Sequence, residues 1–158
     1  MEFVIVTGLS GAGKSRAINA LEDIGFYCVD NMPSKLLPKF AELCLQSQEK
    51  LSRVAIVIDV RGGHLFDGLL EALDELKRQG GSYKILFLEC DDQVLARRYK
   101  ETRRKHPLLE IAKGSVPEAI KLEREMLKGI RARTDFLINT TFLTPAQLRE
   151  QIVSLFLD

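Results

Sequence analysis

Residues Gly8-Leu9-Ser10-Gly11-Ala12-Gly13-Lys14-Ser15 follow the apolar run Phe3-Val4-Ile5-Val6 directly and satisfy GxxxxGK[ST] in full. That pattern demands a strand, a tight glycine-bearing turn and a helix in immediate succession, so it constrains the fold more than any other stretch of the chain. Glycines let the turn adopt positive φ and leave room for phosphate oxygens against the backbone, where successive N–H groups converge on the anion. The pattern predicts a nucleoside triphosphate as ligand. Lys14 is expected to reach the β- and γ-phosphates and the Ser15 hydroxyl to join a Mg²⁺ shell. The first turn of the following helix would offer its N–H groups and positive dipole end.

The remaining 143 residues after this loop, in a chain of 158, suffice for one domain with a single core. No apolar run approaches the roughly 18 residues of a membrane span, and no basic-plus-apolar leader opens the chain. The cytoplasm is therefore the expected compartment, with no membrane partner. Cys28, Cys44 and Cys90 are odd in number, widely spaced and set in apolar runs, which predicts reduced thiols. The formal net charge is +1, but its distribution is uneven, with six basic residues against one acid in Arg97-Arg98-Tyr99-Lys100-Glu101-Thr102-Arg103-Arg104-Lys105.

Five short apolar runs read as strands: Glu2 to Thr7, Phe26 to Val29, Val54 to Val60, Tyr83 to Cys90 and Phe136 to Thr140. Helical periodicity fills the intervals at Lys14 to Ile24, Pro33 to Ser47, His64 to Gln79, Asp92 to Arg104, Pro117 to Arg133 and Pro145 to Phe156. Near-continuous apolar strands alternating with helices predict a parallel sheet covered on both faces, a three-layer α/β/α sandwich of kinase-like type.

Asp59 closes the run Val54 to Asp59, at the sheet edge where open α/β sheets bind ligands, and could hold Mg²⁺ beside Ser15. Asp30 closes the second strand. It is open to two readings, a general base or orienting carboxylate, or an Asp-Asn turn that caps the helix opening at Pro33. Arg97, Arg98, Arg103 and Arg104 are readable as an arginine-bearing lid, as an RNA-phosphate patch, or as a solvated helix face. His64 and His106 lack metal-ligand spacing and read as structural or exposed.

The loop, the block Ala20 to Pro33, the triplet Asp59-Val60-Arg61 and the run Arg97 to Leu108 together resemble the RapZ/YvcJ family of nucleotide-binding proteins over essentially the whole chain. The resemblance implies a kinase-like P-loop domain that binds and slowly hydrolyses ATP and GTP. Family members carry a further C-terminal domain, which in an RNase adapter binds small regulatory RNA and a sugar phosphate. This chain reads as the N-terminal half of such a protein, so RNA or an RNase is expected as a partner only through the full-length protein. Self-association is left open. The family treats the segment matching Asp59-Val60-Arg61-Gly62 as a guanine-nucleotide signature, although it departs from the Asn-Lys-x-Asp pattern of GTPases.

Three functions follow as expectations. One is a slow ATPase/GTPase whose nucleotide state regulates an RNA-adapter or signalling protein, with water oriented by Asp30 or Asp59. The second is a small-metabolite kinase of the shikimate or nucleoside monophosphate type, and the third a nucleotide sensor without turnover.

Overall fold

The computed structural model describes residues 2–47, 52–59, 68–102 and 105–157. Val60, Arg61, Gly62, His64, Arg103 and Arg104 lie outside them. The elements run β1 (Glu2–Gly8), α1 (Lys14–Asp23), β2 (Tyr27–Val29), a 3₁₀ turn (Ser34–Leu36), α2 (Leu37–Gln46), β3 (Arg53–Val57), α3 (Leu69–Arg78), β4 (Tyr83–Glu89), α4 (Asp92–Glu101), α5 (Val116–Ala132), β5 (Phe136–Asn139) and α6 (Pro145–Phe156).

The strands form one parallel sheet in the order β2-β3-β1-β4-β5. Phe3, Val4, Ile5 and Val6 are fully buried because β1 is central, with both faces under helices. Its register runs Val4 to Ala55 on one side and Val4 to Lys84 on the other. Since β1 lies between β3 and β4, its carboxyl end is the place where successive connections leave in opposite directions, the crevice in which such sheets take ligands. The expected α/β/α sandwich is thus the observed fold.

Two described helix boundaries, the start of α2 and the end of α4, differ from expectation. Pro33 is extended (φ −62°, ψ 135°), so the segment after β2 opens with a 3₁₀ turn and α2 proper starts at Leu37. Gly68 takes φ 80°, a left-handed conformation, and α3 runs from Leu69 behind it; the expected start at His64 lies outside the described residues. Thr102 swings to extended backbone (φ −112°, ψ 155°), which ends α4 at Glu101 short of Arg104. By contrast α6 spans Pro145–Phe156 as the sequence predicts, fixed by a reciprocal capping box between Thr144 and Gln147.

Between the sheet and α5 a charged fork holds the β4 end. Arg124 donates to Asp92, Glu89 and the Cys90 carbonyl at 2.7, 2.8 and 2.8 Å, and Arg131 reaches the other Glu89 oxygen at 3.1 Å. Cys28, Cys44 and Cys90 are free thiols. Among the described residues, no helix is long and apolar enough to cross a membrane.

Candidate functional site

The loop after β1 is shaped by two close approaches. Gly8 sits at φ 141°, and a Cβ there would overlap the Leu88 carbonyl oxygen and lie 2.7 Å from the Leu88 nitrogen. Glycine alone lets β1 run this tightly along β4. Gly13, at φ 113°, precedes α1 as its N-cap and supplies no side chain to the helix end. Leu9 and Ala12 are fully buried, the Ala12 N–H bonds the Leu9 carbonyl at 3.0 Å, and the Lys14 ammonium donates to the Gly8 carbonyl at 2.9 Å.

The start of α1, like that of α2, carries no side-chain cap and no first-turn acid, but α1 alone begins directly from the glycine-bearing loop. Ser115 caps α5 through the Glu118 N–H and Thr144 caps α6 through the Gln147 N–H, whereas α1 has neither a side-chain cap nor an acid in its first turn. Its first intrahelical bond runs from the Ala17 N–H to the Gly13 carbonyl at 3.0 Å. The helical amides before Ala17 lie ahead of the first bond to Gly13 and head a positive dipole end, an arrangement suited to an anion.

Two chambers open on this loop. One of about 480 Å³ is lined by Lys14, Ser15, Asn19, Asp30, Asp59 and Lys105, among others. The other, about 560 Å³, lies between Gly11–Gly13, Arg98, Tyr99 and Thr102 on one side and Thr140–Pro145 on the other. Gly11, Gly13, Arg16 and Tyr99 border both, so the two flank the tip of the loop.

Asp59 is 9% exposed and shares the first chamber with the exposed Ser15 hydroxyl. A carboxylate and a hydroxyl are hard oxygen donors suited to Mg²⁺, which takes few protein ligands and completes its shell with phosphate and water. Asp30 is exposed at the chamber rim and accepts the Asn31 N–H at 2.8 Å, with Asn31 at φ 57°. Arg98 donates to the Gly11 carbonyl at 2.6 Å, and Arg97 is exposed on the same helix. Arg103, Arg104 and the stretch Val60, Arg61 and Gly62 lie outside the described residues.

Several neighbours escaped the sequence. Thr140, 3% exposed, donates to the Ala12 carbonyl at 2.7 Å and ties the loop to the end of β5. Glu123 is fully buried. It accepts the Ser10 N–H at 2.9 Å and the Ser10 hydroxyl at 2.6 Å, and it lies 3.3 Å from the His106 Nε2. His106, 2% exposed, accepts the Leu108 N–H at Nδ1, 3.0 Å away. A signal for Glu123 existed: it falls among Ala119, Ile120, Leu127 and Ile130 on the buried face of α5, where a lone acid requires a partner.

The comparisons bear on family and fold. Residues 1–158 match the family described as RapZ-like N-terminal domain. A nucleotide-binding protein of Caldicellulosiruptor bescii is 52% identical over 158 residues, 100% of this chain and 54% of the relative. One from Acetivibrio thermocellus is 53% identical over 158 residues, again 100% and 54%. The chain thus spans about half the length of the curated relatives it matches. Among solved structures, a sugar kinase from Janibacter sp. superposes with a TM-score of 0.64 at 17% identity, over 98% of this chain and 93% of that one. A shikimate kinase from Bacteroides thetaiotaomicron gives 0.58 at 17%, over 97% and 95%. At such identities the likeness concerns the fold alone, a P-loop kinase sandwich.

Proposed function

From the premise that this chain belongs to the family of RapZ-like N-terminal domains, we propose that it binds ATP or GTP with Mg²⁺ and hydrolyses the nucleotide slowly. Its nucleotide state would regulate a longer protein that acts as an RNA adapter or in signalling, with RNA or an RNase met by that longer protein. The carrying observation is the uncapped start of α1, behind Gly13 and beside Lys14, at the junction of two chambers. The phosphates would lie on the amides of Gly11 to Ser15, and the base and ribose would extend between Arg98 and the Thr140–Pro145 loop.

Mg²⁺, when bound with the nucleotide, supplies positive charge at the β- and γ-oxygens. Ser15 and Asp59 would hold it. Lys14 would leave the Gly8 carbonyl to neutralise charge gathering on the β,γ-bridging oxygen as the bond to the γ-phosphorus breaks and the diphosphate departs with the electron pair. Water forms the new bond to phosphorus, and its proton passes to solvent or to a carboxylate, Asp30 or Asp59. Phosphate release from Mg·ATP and Mg·GTP by the purified protein, set against Lys14→Ala, tests this reading. No release above that control would leave a nucleotide sensor without turnover.

One observation favours a second reading, a small-metabolite phosphotransferase. The first chamber continues past Lys14 to Asn19, Asp30 and Lys105, more room than one attacking water needs, with a carboxylate at its rim. Under this reading an acceptor hydroxyl replaces water and Asp30 takes its proton. Transfer to any acceptor in a screen of hydroxylated metabolites, at a rate well above that to water, would establish it.

A further inference from the structure

Glu123 is a fully buried acid held by donors from two different parts of the chain, with no Lys or Arg among its hydrogen-bond partners in the described residues. A buried carboxylate is costly unless each lone pair is used, and removing its partners is costlier still. Because the His106 Nδ1 accepts the Leu108 N–H, the imidazole proton sits on Nε2 and is donated to Glu123. One carboxylate therefore takes the hydroxyl and amide of the third residue of the phosphate loop and the ring of a residue in the 105–109 segment. That segment borders the ligand: Lys105 and Pro107 line the first chamber, and the His106 ring lies 5.2 Å from that of Tyr99, which lines both.

We propose that Glu123 is a positioning residue that fixes the phosphate loop through Ser10 and, through His106, makes the loop and the 105–109 segment move as one unit. Ser10 gives its N–H to Glu123, so the carboxylate sets the direction in which the loop enters its turn. Any ligand that holds the loop then also holds Lys105 and Pro107 over the first chamber. The ligand's identity as a nucleotide rests on the reading above; the mechanical link does not.

Amide hydrogen exchange on the unliganded chain tests the link. Ser10→Ala removes a hydroxyl that donates to Glu123 and not to the 105–109 segment, and exchange at the Leu108 amide is expected to quicken about three- to tenfold. His106→Ala is expected to quicken exchange at the Ala12 amide to a similar degree. Glu123→Gln can accept the Ser10 and His106 N–H groups at its carbonyl and donate its amide to the Ser10 hydroxyl. It should stay within about twofold of the parent, whereas Glu123→Ala should loosen both regions. Effects confined to the loop in Ser10→Ala and to 105–109 in His106→Ala would overturn the proposal, as would Glu123→Gln behaving like Glu123→Ala. Should Glu123→Ala not fold, Ser10→Ala and His106→Ala decide alone. Calorimetric titration of the same samples with Mg·ATP tests the nucleotide reading separately, and a failure to bind there leaves the exchange result in force.

Discussion

Arg98 on α4 hydrogen-bonds the carbonyl of Gly11 at the tip of the phosphate loop, 2.6 Å away and 87 positions earlier in the chain. The guanidinium thus braces the loop from the side of the second chamber. Arg98→Ala removes a charge-assisted bond and a chamber wall, so nucleotide affinity should fall about three- to tenfold with little change in the urea midpoint. Calorimetric titration beside a denaturation curve checks both halves.

Lys14→Ala deletes the cation that the proposed function assigns to the β- and γ-phosphates. Affinity for Mg·ATP and Mg·GTP should drop by about 10- to 100-fold, in keeping with the loss of a hydrogen bond to a charged group, and phosphate release should vanish. Retained affinity would place the phosphates elsewhere.

Asp59→Asn keeps the shape of a buried side chain and removes its charge. If Asp59 helps to hold Mg²⁺, chelation with EDTA should weaken nucleotide binding by the parent but change the variant little. Phosphate release by the variant should fall at least about tenfold. An Asp59→Asn protein with undiminished Mg²⁺-dependent release would move the metal to other oxygens.

Gly8→Ala is a prediction about stability. The new methyl group would meet the Leu88 backbone at a φ of 141°, and neither strand can yield without breaking the register of Gly8 to Leu88. A loss of about 3 kcal/mol is expected, or roughly 6–12 °C in melting temperature. Gly25→Ala offers the comparison. It also has positive φ, at 99°, but nothing stands within 4 Å of its added Cβ, so its cost should be smaller.

Burial, with a smaller push from Glu22, raises the Cys28 thiol from 9.0 to about 11. At pH 8 its thiolate fraction should be about 100-fold below that of an unperturbed thiol, and alkylation by iodoacetamide correspondingly slow. The sign for stability follows. A folded-state value above the unfolded one means that this contribution is intact below pH 9 and is lost as the pH rises towards 11. Mass spectrometry after timed alkylation at pH 8 reads the first effect, and urea midpoints at pH 8 and pH 10 read the second.

The five strands were legible because each is a short apolar run whose two faces are both covered, and the loop was legible because its glycines, lysine and serine are adjacent in the chain. Asp30 and Asp59 could be located at the carboxyl edge of the sheet since Asp30 directly follows β2 and Asp59 comes two residues after β3, and position along a strand fixes height in a parallel sheet. Glu123 was not legible as a partner of the loop, because its place on the apolar face of α5 calls for a partner without saying which and Ser10 lies 113 residues away. Thr140 escaped for the same reason, its bond to Ala12 spanning 128 positions. The end of α4 was misjudged because the basic run from Arg97 to Lys105 continues a helix-favouring composition past Thr102, where the backbone has already turned to extended geometry.

The bond from Thr140 to Ala12 also orders events in time. A ribosome delivers the loop motif 128 residues ahead of the strand end that braces it, with His106 and Glu123 emerging in between. Between those two points a nascent chain carries the motif without the bond that ties it to β5. The loop is tied down only once β5 has paired with β4, so its final shape waits on a strand far behind it in the chain.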